Sequence, residues 1–112
     1  MGIELELHSA RPARFDRNMS RATLVRGSYH HGEALAQVLA KLKADGPDKL
    51  SWVDPYDNTL FNEQEAEVAL REVDGLLQQC ADESQVAAVH DLATLLKSCA
   101  ATNGGYLWFI GD

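Results

Sequence analysis

The chain ends in YLWFIGD, residues 106–112, and this stretch constrains the architecture more than any other. Its first five residues are all apolar or aromatic, so both faces of a strand built from them are apolar. Such a strand is stable where both of its faces are covered or where it lies inside a sheet. We therefore predict that residues 106–112 form an interior strand.

The N-terminal stretch IELELH, residues 3–8, supplies a partner for that strand. Apolar and polar residues alternate in it: Ile3, Leu5 and Leu7 point one way, and Glu4, Glu6 and His8 point the other. This period of two is typical of a strand with one buried face and one solvated face. We expect the first and last strands to pair, and residues 3–8 to be half-buried.

Three amphipathic helices are predicted between these strands. The first covers residues 32–45 before Gly46-Pro47, the second runs to Cys80, and the third begins near Asp82. Their apolar stripes have the helical spacing of three and four residues: Leu35, Val38, Leu39 and Leu42; Ala66, Ala69, Val73, Leu76, Leu77 and Cys80; Val89, Leu92, Leu96 and Cys99.

The ends of the second and third helices carry capping signals. Asn62 with Glu65 has the spacing of a capping box, and Asp82 with Gln85 is a second pair of this type. Asn103-Gly104-Gly105 is typical of a left-handed C-cap. These signals fix where the long helices begin and end.

The remaining segments are short. Residues 9–31 are irregular, with Ala22–Val25 as a candidate second strand, and residues 50–53 are a candidate extended segment. The predicted fold is a single α+β domain over residues 1–112. In it, three helices pack on a small sheet formed by the N- and C-terminal strands.

Composition narrows the class of protein. The 112 residues carry a net charge of −7, and 46% of them are hydrophobic. No run of about 18 apolar residues is present, so no membrane span is predicted. The N-terminus has acids where a secretory signal has basic residues. Cys80 and Cys99 would lie roughly 20 Å apart along a helical hairpin, which is too far for a disulfide. Two free thiols are typical of a reducing compartment, so we expect a cytoplasmic location.

The charge is unevenly distributed along the chain. Five arginines occur between Arg11 and Arg26 against one acid, Asp16: Arg11, Arg14, Arg17, Arg21 and Arg26. From residue 36 onward, five basic residues stand against thirteen acids, a balance of −8. The acidic part would repel nucleic acid and suit a basic partner. The arginine segment either pairs with the protein's own acids or binds phosphate or RNA.

The stretch DPYDNTLFN, residues 54–62, is the most unusual in the chain. As a calcium loop it has acceptable residues at Asp54, Asn58 and Glu65, but Tyr56 and Thr59 replace the required second oxygen ligand and glycine. Asp54-Pro55-Tyr56-Asp57 is typical of a turn, and Asn62 of a helix cap. We predict a rigid turn before a helix, no metal site, and exposed side chains available to a partner.

No catalytic framework accompanies this stretch. The four histidines show no HxxxH, CxxC or CxH spacing, and the chain has no GxSxG motif or glycine-rich phosphate loop. Asp54 and Asp57 would be the acid and base of an enzymatic alternative. We predict that the protein is not an enzyme and uses no cofactor.

DPYDNTLFN and the terminal FIGD together resemble segments of a group of small, uncharacterised bacterial proteins. In that group a segment D-P-Y-x-D/N-T-x-F-N precedes two helices, and the chain ends near F-I-G-D. The matching residues are Asp54, Pro55, Tyr56, Thr59, Phe61 and Asn62, then Phe109, Ile110, Gly111 and Asp112. In size and acidity the chain is also similar to bacterial immunity proteins, which bind and neutralise a toxin.

The leading hypothesis is a small acidic cytoplasmic protein-binding domain, with an immunity-type toxin inhibitor as its specific form. Its candidate partner-binding residues are Trp52, Asp54, Tyr56, Asp57 and Asn58. The alternative is a nucleic-acid-associated or regulatory protein that binds through the Arg11–Arg26 segment. Salt dependence separates the two, because phosphate binding weakens steeply as salt rises.

Overall fold

A four-stranded antiparallel sheet forms one layer of the protein. The computed structural model describes residues 2–12, 21–42 and 46–111. Its strands are β1 (Ile3–His8), β2 (Leu24–Ser28), β3 (Asn58–Asn62) and β4 (Tyr106–Gly111), in the order β2-β1-β4-β3. β4 is interior and pairs with β1 from Ile3↔Gly111 to His8↔Tyr106. The predicted interior position of the last strand and its pairing with the first are both confirmed.

Within the described residues, four α-helices form the second layer. They are α1 (Gly32–Leu39), α2 (Glu63–Leu70), α3 (Val73–Gln78) and α4 (Glu83–Ala101). α4 packs against the other three helices and against β1 and β4. The α+β class is confirmed, and the described part of the chain contains one α-helix more than the three predicted.

The extra helix arises because the predicted second helix is broken at Arg71 and Glu72. The Glu72 amide bonds to Ala69 O at 3.0 Å, a tighter turn than an α-helix has. The Glu72 carboxylate accepts the backbone amides of Lys49 and Leu50 at 2.7 and 2.9 Å. These amides begin a 3₁₀ helix, Lys49–Trp52. The prediction of an extended segment at residues 50–53 was therefore wrong, because Glu72 caps a helical turn there.

Strand boundaries also differ from the predictions in two places. Arg21–Thr23 is a 3₁₀ turn, and β2 begins only at Leu24, two residues after the candidate strand's start. Asn58–Asn62 forms edge strand β3, which the sequence pattern did not indicate.

Helix α1 ends at Leu39 rather than near residue 45. The amides of Lys41 and Leu42 bond to carbonyls three residues back.

The predicted helix starts are confirmed in atomic detail. Asn62 Oδ1 accepts the Glu65 amide at 2.8 Å, and Glu65 Oε1 accepts the Asn62 amide at 3.0 Å, which completes the capping box. At α4, Asp82 Oδ1 accepts the Gln85 amide at 2.9 Å. Gln85 Oε1 reaches back to the Ala81 amide, also at 2.9 Å, rather than to that of Asp82.

We predict that Asn62→Ala lowers the free energy of unfolding by about 1 kcal/mol. Alanine leaves the Glu65 amide without an acceptor at the positive end of α2. Urea unfolding followed by far-ultraviolet circular dichroism measures the difference. An unchanged unfolding midpoint would show that the cap does not contribute.

The glycines after α4 act differently from the predicted C-cap. Thr102 caps the helix in an extended conformation, with its amide bonded to Cys99 O. Gly104 has φ +77 within a turn closed by the Gly105 amide and Thr102 O at 2.9 Å. Left-handed backbone is therefore used to turn the chain into β4 rather than to cap α4.

Both faces of β1 are buried, which corrects the half-buried prediction. Ile3, Leu5 and Leu7 join the helices in one hydrophobic cluster. On the opposite face, however, Glu6 is only 3% exposed and His8 is 0% exposed. These two polar residues are buried because they bond to each other and to neighbours on that face.

The two cysteines are free thiols. Cys99 is buried and Cys80 is partly buried. Burial and the nearby Glu63 carboxylate raise the pKa of the Cys99 thiol to about 11. Among the described residues, no helix combines the length and apolar character needed to cross a membrane.

Candidate partner-binding surface

The turn Asp54–Asp57, which we call the DPYD turn, is held by its own side chains. Asp54 Oδ1 accepts the Tyr56 amide at 2.9 Å, and the Asp57 amide lies 3.4 Å from Asp54 O. Thr59 Oγ1 accepts the Asp54 amide at 3.1 Å. The predicted turn is confirmed, and these bonds fix its backbone.

The DPYD turn is docked on the end of β4. The Gly111 amide donates to Asp57 O at 2.8 Å. A Cβ at Gly111 would lie 2.5 Å from both the N and O atoms of Asp57 and 2.7 Å from Asp54 O. Only glycine allows this approach of the two backbones. The two segments that suggested a resemblance, DPYDNTLFN and FIGD, therefore contact each other directly.

Large side chains project from the DPYD turn and from the end of the 3₁₀ helix that precedes it. Tyr56 is 65% exposed and Trp52 is 64% exposed, and Asp54 and Asp57 are also exposed. Asn58 is different, because it is partly buried and its Oδ1 accepts the Trp108 indole N–H at 2.9 Å. Of the five candidate residues, four present side chains to solvent and the fifth is engaged with the sheet.

Lys49 holds the indole of Trp52 from one side. Its Nζ lies 3.8 Å from the centroid of the indole ring and 2.8 Å from Glu65 Oε2. Partial burial of Glu65 opposes ionisation, but the bonds from Lys49 and the Asn62 amide, together with the Lys49 charge, outweigh it and lower the Glu65 pKa. Glu65 thus bonds both to the first turn of α2 and to the lysine that packs on Trp52.

We predict that Glu65→Gln lowers the free energy of unfolding by less than about 1 kcal/mol near neutral pH, because the side chain is 34% exposed and water screens the pair. Glutamine keeps an acceptor for the Asn62 amide but loses the charge beside Lys49. Since the folded-state pKa is lowered, the carboxylate stabilises the fold above its ordinary pKa near 4.5, and this contribution disappears as the pH falls through the folded-state value.

Urea unfolding of Glu65→Gln and wild type, repeated from neutral pH into acid, tests this directly. The difference between the two proteins should shrink towards zero as the pH falls. A difference that does not change with pH would contradict an ionic contribution from Glu65.

The outer edge of β3 is blocked by neighbouring side chains. The register of β3 on β4, with the Gly111–Asp57 bond, directs the backbone groups of Asn58, Leu60 and Asn62 away from β4. Asp57 Oδ1 accepts the Asn58 amide at 2.8 Å, and Glu65 Oε1 accepts that of Asn62. Two of these three amides are satisfied internally, so the edge is poorly suited to pairing with a partner strand.

The described arginines contact the protein's own groups. Arg26 lies 3.8 Å from Asp91, Arg11 is 6.0 Å from the centroid of the Tyr106 ring, and Arg21 lines a small pocket with Glu4 and Glu6. The Arg26–Asp91 pair supports the interpretation in which the segment balances internal acids. Arg14 and Arg17 lie outside the described residues.

The histidines occupy two different environments. His30 and His31 line an open groove of about 560 Å³ together with Glu33, Asp82 and Glu83. His8 is fully buried and does not contribute to a surface site. Within residues 2–12, 21–42 and 46–111, no group of three or more histidine, cysteine, aspartate or glutamate side chains could hold a metal ion.

The buried polar network around His8 was not predicted from the sequence. His8 Nε2 lies 3.0 Å from Glu6 Oε1, and His8 Nδ1 lies 2.8 Å from Thr23 Oγ1. Tyr29 Oη donates to Glu6 Oε2 at 2.8 Å, and the His8 ring packs 5.8 Å from that of Trp108. The network joins β1 and β4 to the residues that directly precede and follow β2, on the face opposite the helices.

Comparison with known proteins provides no assignment: no protein-family model, curated protein or solved structure matches this chain. The geometry of the surface therefore carries the functional argument.

Proposed function

We propose that this protein is a protein-binding domain whose partner docks on Trp52, Asp54, Tyr56, Asp57 and Asn58. The observation that carries the proposal is the exposure of two large aromatic side chains on an anchored backbone. Exposed aromatic residues that lose little freedom on binding are favourable interface anchors. Asn58 connects this surface to the sheet, because its side chain accepts the Trp108 indole N–H.

Charge indicates the kind of partner. The net charge of the protein is −7. Two exposed aspartates lie on the candidate surface beside its aromatic residues. A partner with a basic surface would be attracted at a distance and oriented on approach. Because two of the three outward-facing amides of β3 already have internal acceptors, we propose recognition through side chains and not through addition of a strand.

The specific form of the proposal is an immunity-type inhibitor that neutralises a basic bacterial toxin in the cytoplasm by occluding its surface. In this role the chain binds without chemistry and needs no cofactor. Its acidity and its small size support this form.

Identification of the partner tests whether the protein is an immunity-type inhibitor. The tagged chain would be used to capture proteins from its native cells, in parallel with a Trp52→Ala/Tyr56→Ala double variant. A captured protein would then be produced alone and tested for growth inhibition, with and without this chain. A basic protein that is toxic alone and neutralised by the wild type supports the immunity form. Salt-sensitive binding to RNA or DNA fragments instead would overturn it.

We predict that Trp52→Ala and Tyr56→Ala each weaken binding of the purified partner by at least about tenfold. Val25→Ala is the matched control, because Val25 is an apolar residue of β2, away from this surface, and is 59% exposed. Isothermal titration calorimetry measures the dissociation constants. Equal affinity of all three variants and the wild type would place the interface elsewhere.

A further inference from the structure

Resting on the proposed function, we infer that this surface binds an arginine side chain of the partner between the exposed aromatic rings and the carboxylates of the DPYD turn. The fold contains an internal example of the same chemistry. Lys49 places its ammonium group on the Trp52 indole and pairs with the Glu65 carboxylate. One aromatic ring and one carboxylate thus already bind a cation at this position.

Groups of the same kinds are exposed on the surface, namely the Trp52 and Tyr56 rings and the Asp54 and Asp57 carboxylates. Trp52 is 64% exposed even with Lys49 on one side, so the indole remains accessible. Asp54 and Asp57 each use Oδ1 to accept local backbone amides. Within the described part of the chain, neither carboxylate has a cationic partner. A cation supplied by a partner would pair with these carboxylates as Lys49 pairs with Glu65.

Arginine fits these groups better than lysine does. Its planar guanidinium stacks on aromatic rings, carries several N–H donors in a fixed fork, and is more weakly hydrated than an ammonium group. Two parallel N–H donors match one carboxylate. The exposed aromatic rings and the adjacent aspartates therefore select a flat, multiply donating cation.

The probe is N-acetyl-tetra-arginine amide, titrated into ¹⁵N-labelled protein and followed by nuclear magnetic resonance. Tetra-citrulline amide is the matched neutral peptide, because citrulline keeps the planar group and loses the charge. The reporters are the Trp52 indole N–H and the Tyr56 and Asp57 amides. The amide of Leu92, which is fully buried in α4, serves as the internal reference.

The expected result is a saturable shift of the Trp52 and Tyr56 signals with the arginine peptide and at least a tenfold weaker response to the citrulline peptide. Asp57→Asn should weaken binding at least threefold, because asparagine keeps the oxygen that accepts the Asn58 amide but loses the charge. Asp74→Asn removes the same charge from an exposed site on α3 and should leave binding unchanged.

Three results would overturn the inference. They are equal binding of the citrulline peptide, equal weakening by Asp57→Asn and Asp74→Asn, and shifts centred on the groove that contains His30 and Glu83. Each of these would remove the arginine assignment and leave the protein-binding proposal standing. That proposal fails separately, if Trp52→Ala and Tyr56→Ala do not change the affinity of the purified partner.

Discussion

A His8→Ala variant should lose about 4 kcal/mol of unfolding free energy, the largest effect expected for a single substitution considered for this fold. The imidazole is fully buried and lies between Glu6 Oε1 and Thr23 Oγ1. Alanine removes both hydrogen bonds and leaves a cavity beside Trp108. The Glu6 carboxylate, which is only 3% exposed, loses one of its partners where water cannot easily replace it.

Tyr29→Phe provides the control for this prediction. It removes only the hydroxyl group that donates to Glu6 Oε2, so a loss of about 1 kcal/mol is expected. Urea unfolding of both variants, followed by circular dichroism, gives the comparison. If His8→Ala costs no more than Tyr29→Phe, the face of the sheet opposite the helices is stabilised by contacts other than this network.

Gly111→Ala should lower the free energy of unfolding by about 2 kcal/mol, the usual size for an added methyl group that must displace packed atoms. The new Cβ would lie 2.5 Å from the Asp57 backbone, and a backbone has no rotamer by which to move away. The bond from the Gly111 amide to Asp57 O should break. The DPYD turn should then lose its anchor and Tyr56 its fixed orientation.

Gly75→Ala is the matched substitution, because a Cβ at Gly75 in α3 meets no atom within 4 Å. It should leave stability unchanged or raise it by up to about 1 kcal/mol, since alanine restricts the unfolded chain. Amide exchange at position 111 reports on the anchor itself, because this amide is the donor to Asp57 O. Unchanged exchange and stability in Gly111→Ala would mean that the end of β4 moves aside at little cost.

The parts of the fold that were predicted from sequence are those governed by local pattern. Alternation in residues 3–8 and the apolar run at 106–110 identified the two central strands, and the Asn62 and Asp82 caps identified two helix starts. Each of these signals depends on residues within five positions of one another. Such signals are visible in a single sequence.

The errors concern contacts between distant residues. The break at Glu72 depends on its carboxylate reaching the amides of Lys49 and Leu50, more than twenty positions earlier. β3 forms because β4 offers it a partner, and neither Asn58 nor Asn62 favours a strand by itself. The burial of His8 likewise depends on Thr23. Sequence pattern cannot show such pairings without knowledge of the fold.

The candidate surface was predicted in part for the same reason. The turn residues themselves predicted the DPYD turn. The packing of Lys49 on Trp52 and of Gly111 on Asp57 was not predicted, because these are tertiary contacts. The glycine of FIGD had no evident purpose in the sequence. Its role is clear only where the end of β4 meets the turn.

We propose that the anchored backbone stabilises the fold while the exposed side chains bind the partner. Measurements of unfolding free energy and partner affinity on two variants, Tyr56→Ala and Asn62→Ala, test this division of roles. We expect Asn62→Ala to lose about 1 kcal/mol of stability with little change in affinity, and Tyr56→Ala to lose affinity by at least about tenfold with a smaller change in stability. A Tyr56→Ala variant that loses stability as Asn62→Ala does, yet binds the partner as tightly as wild type, would contradict the claim.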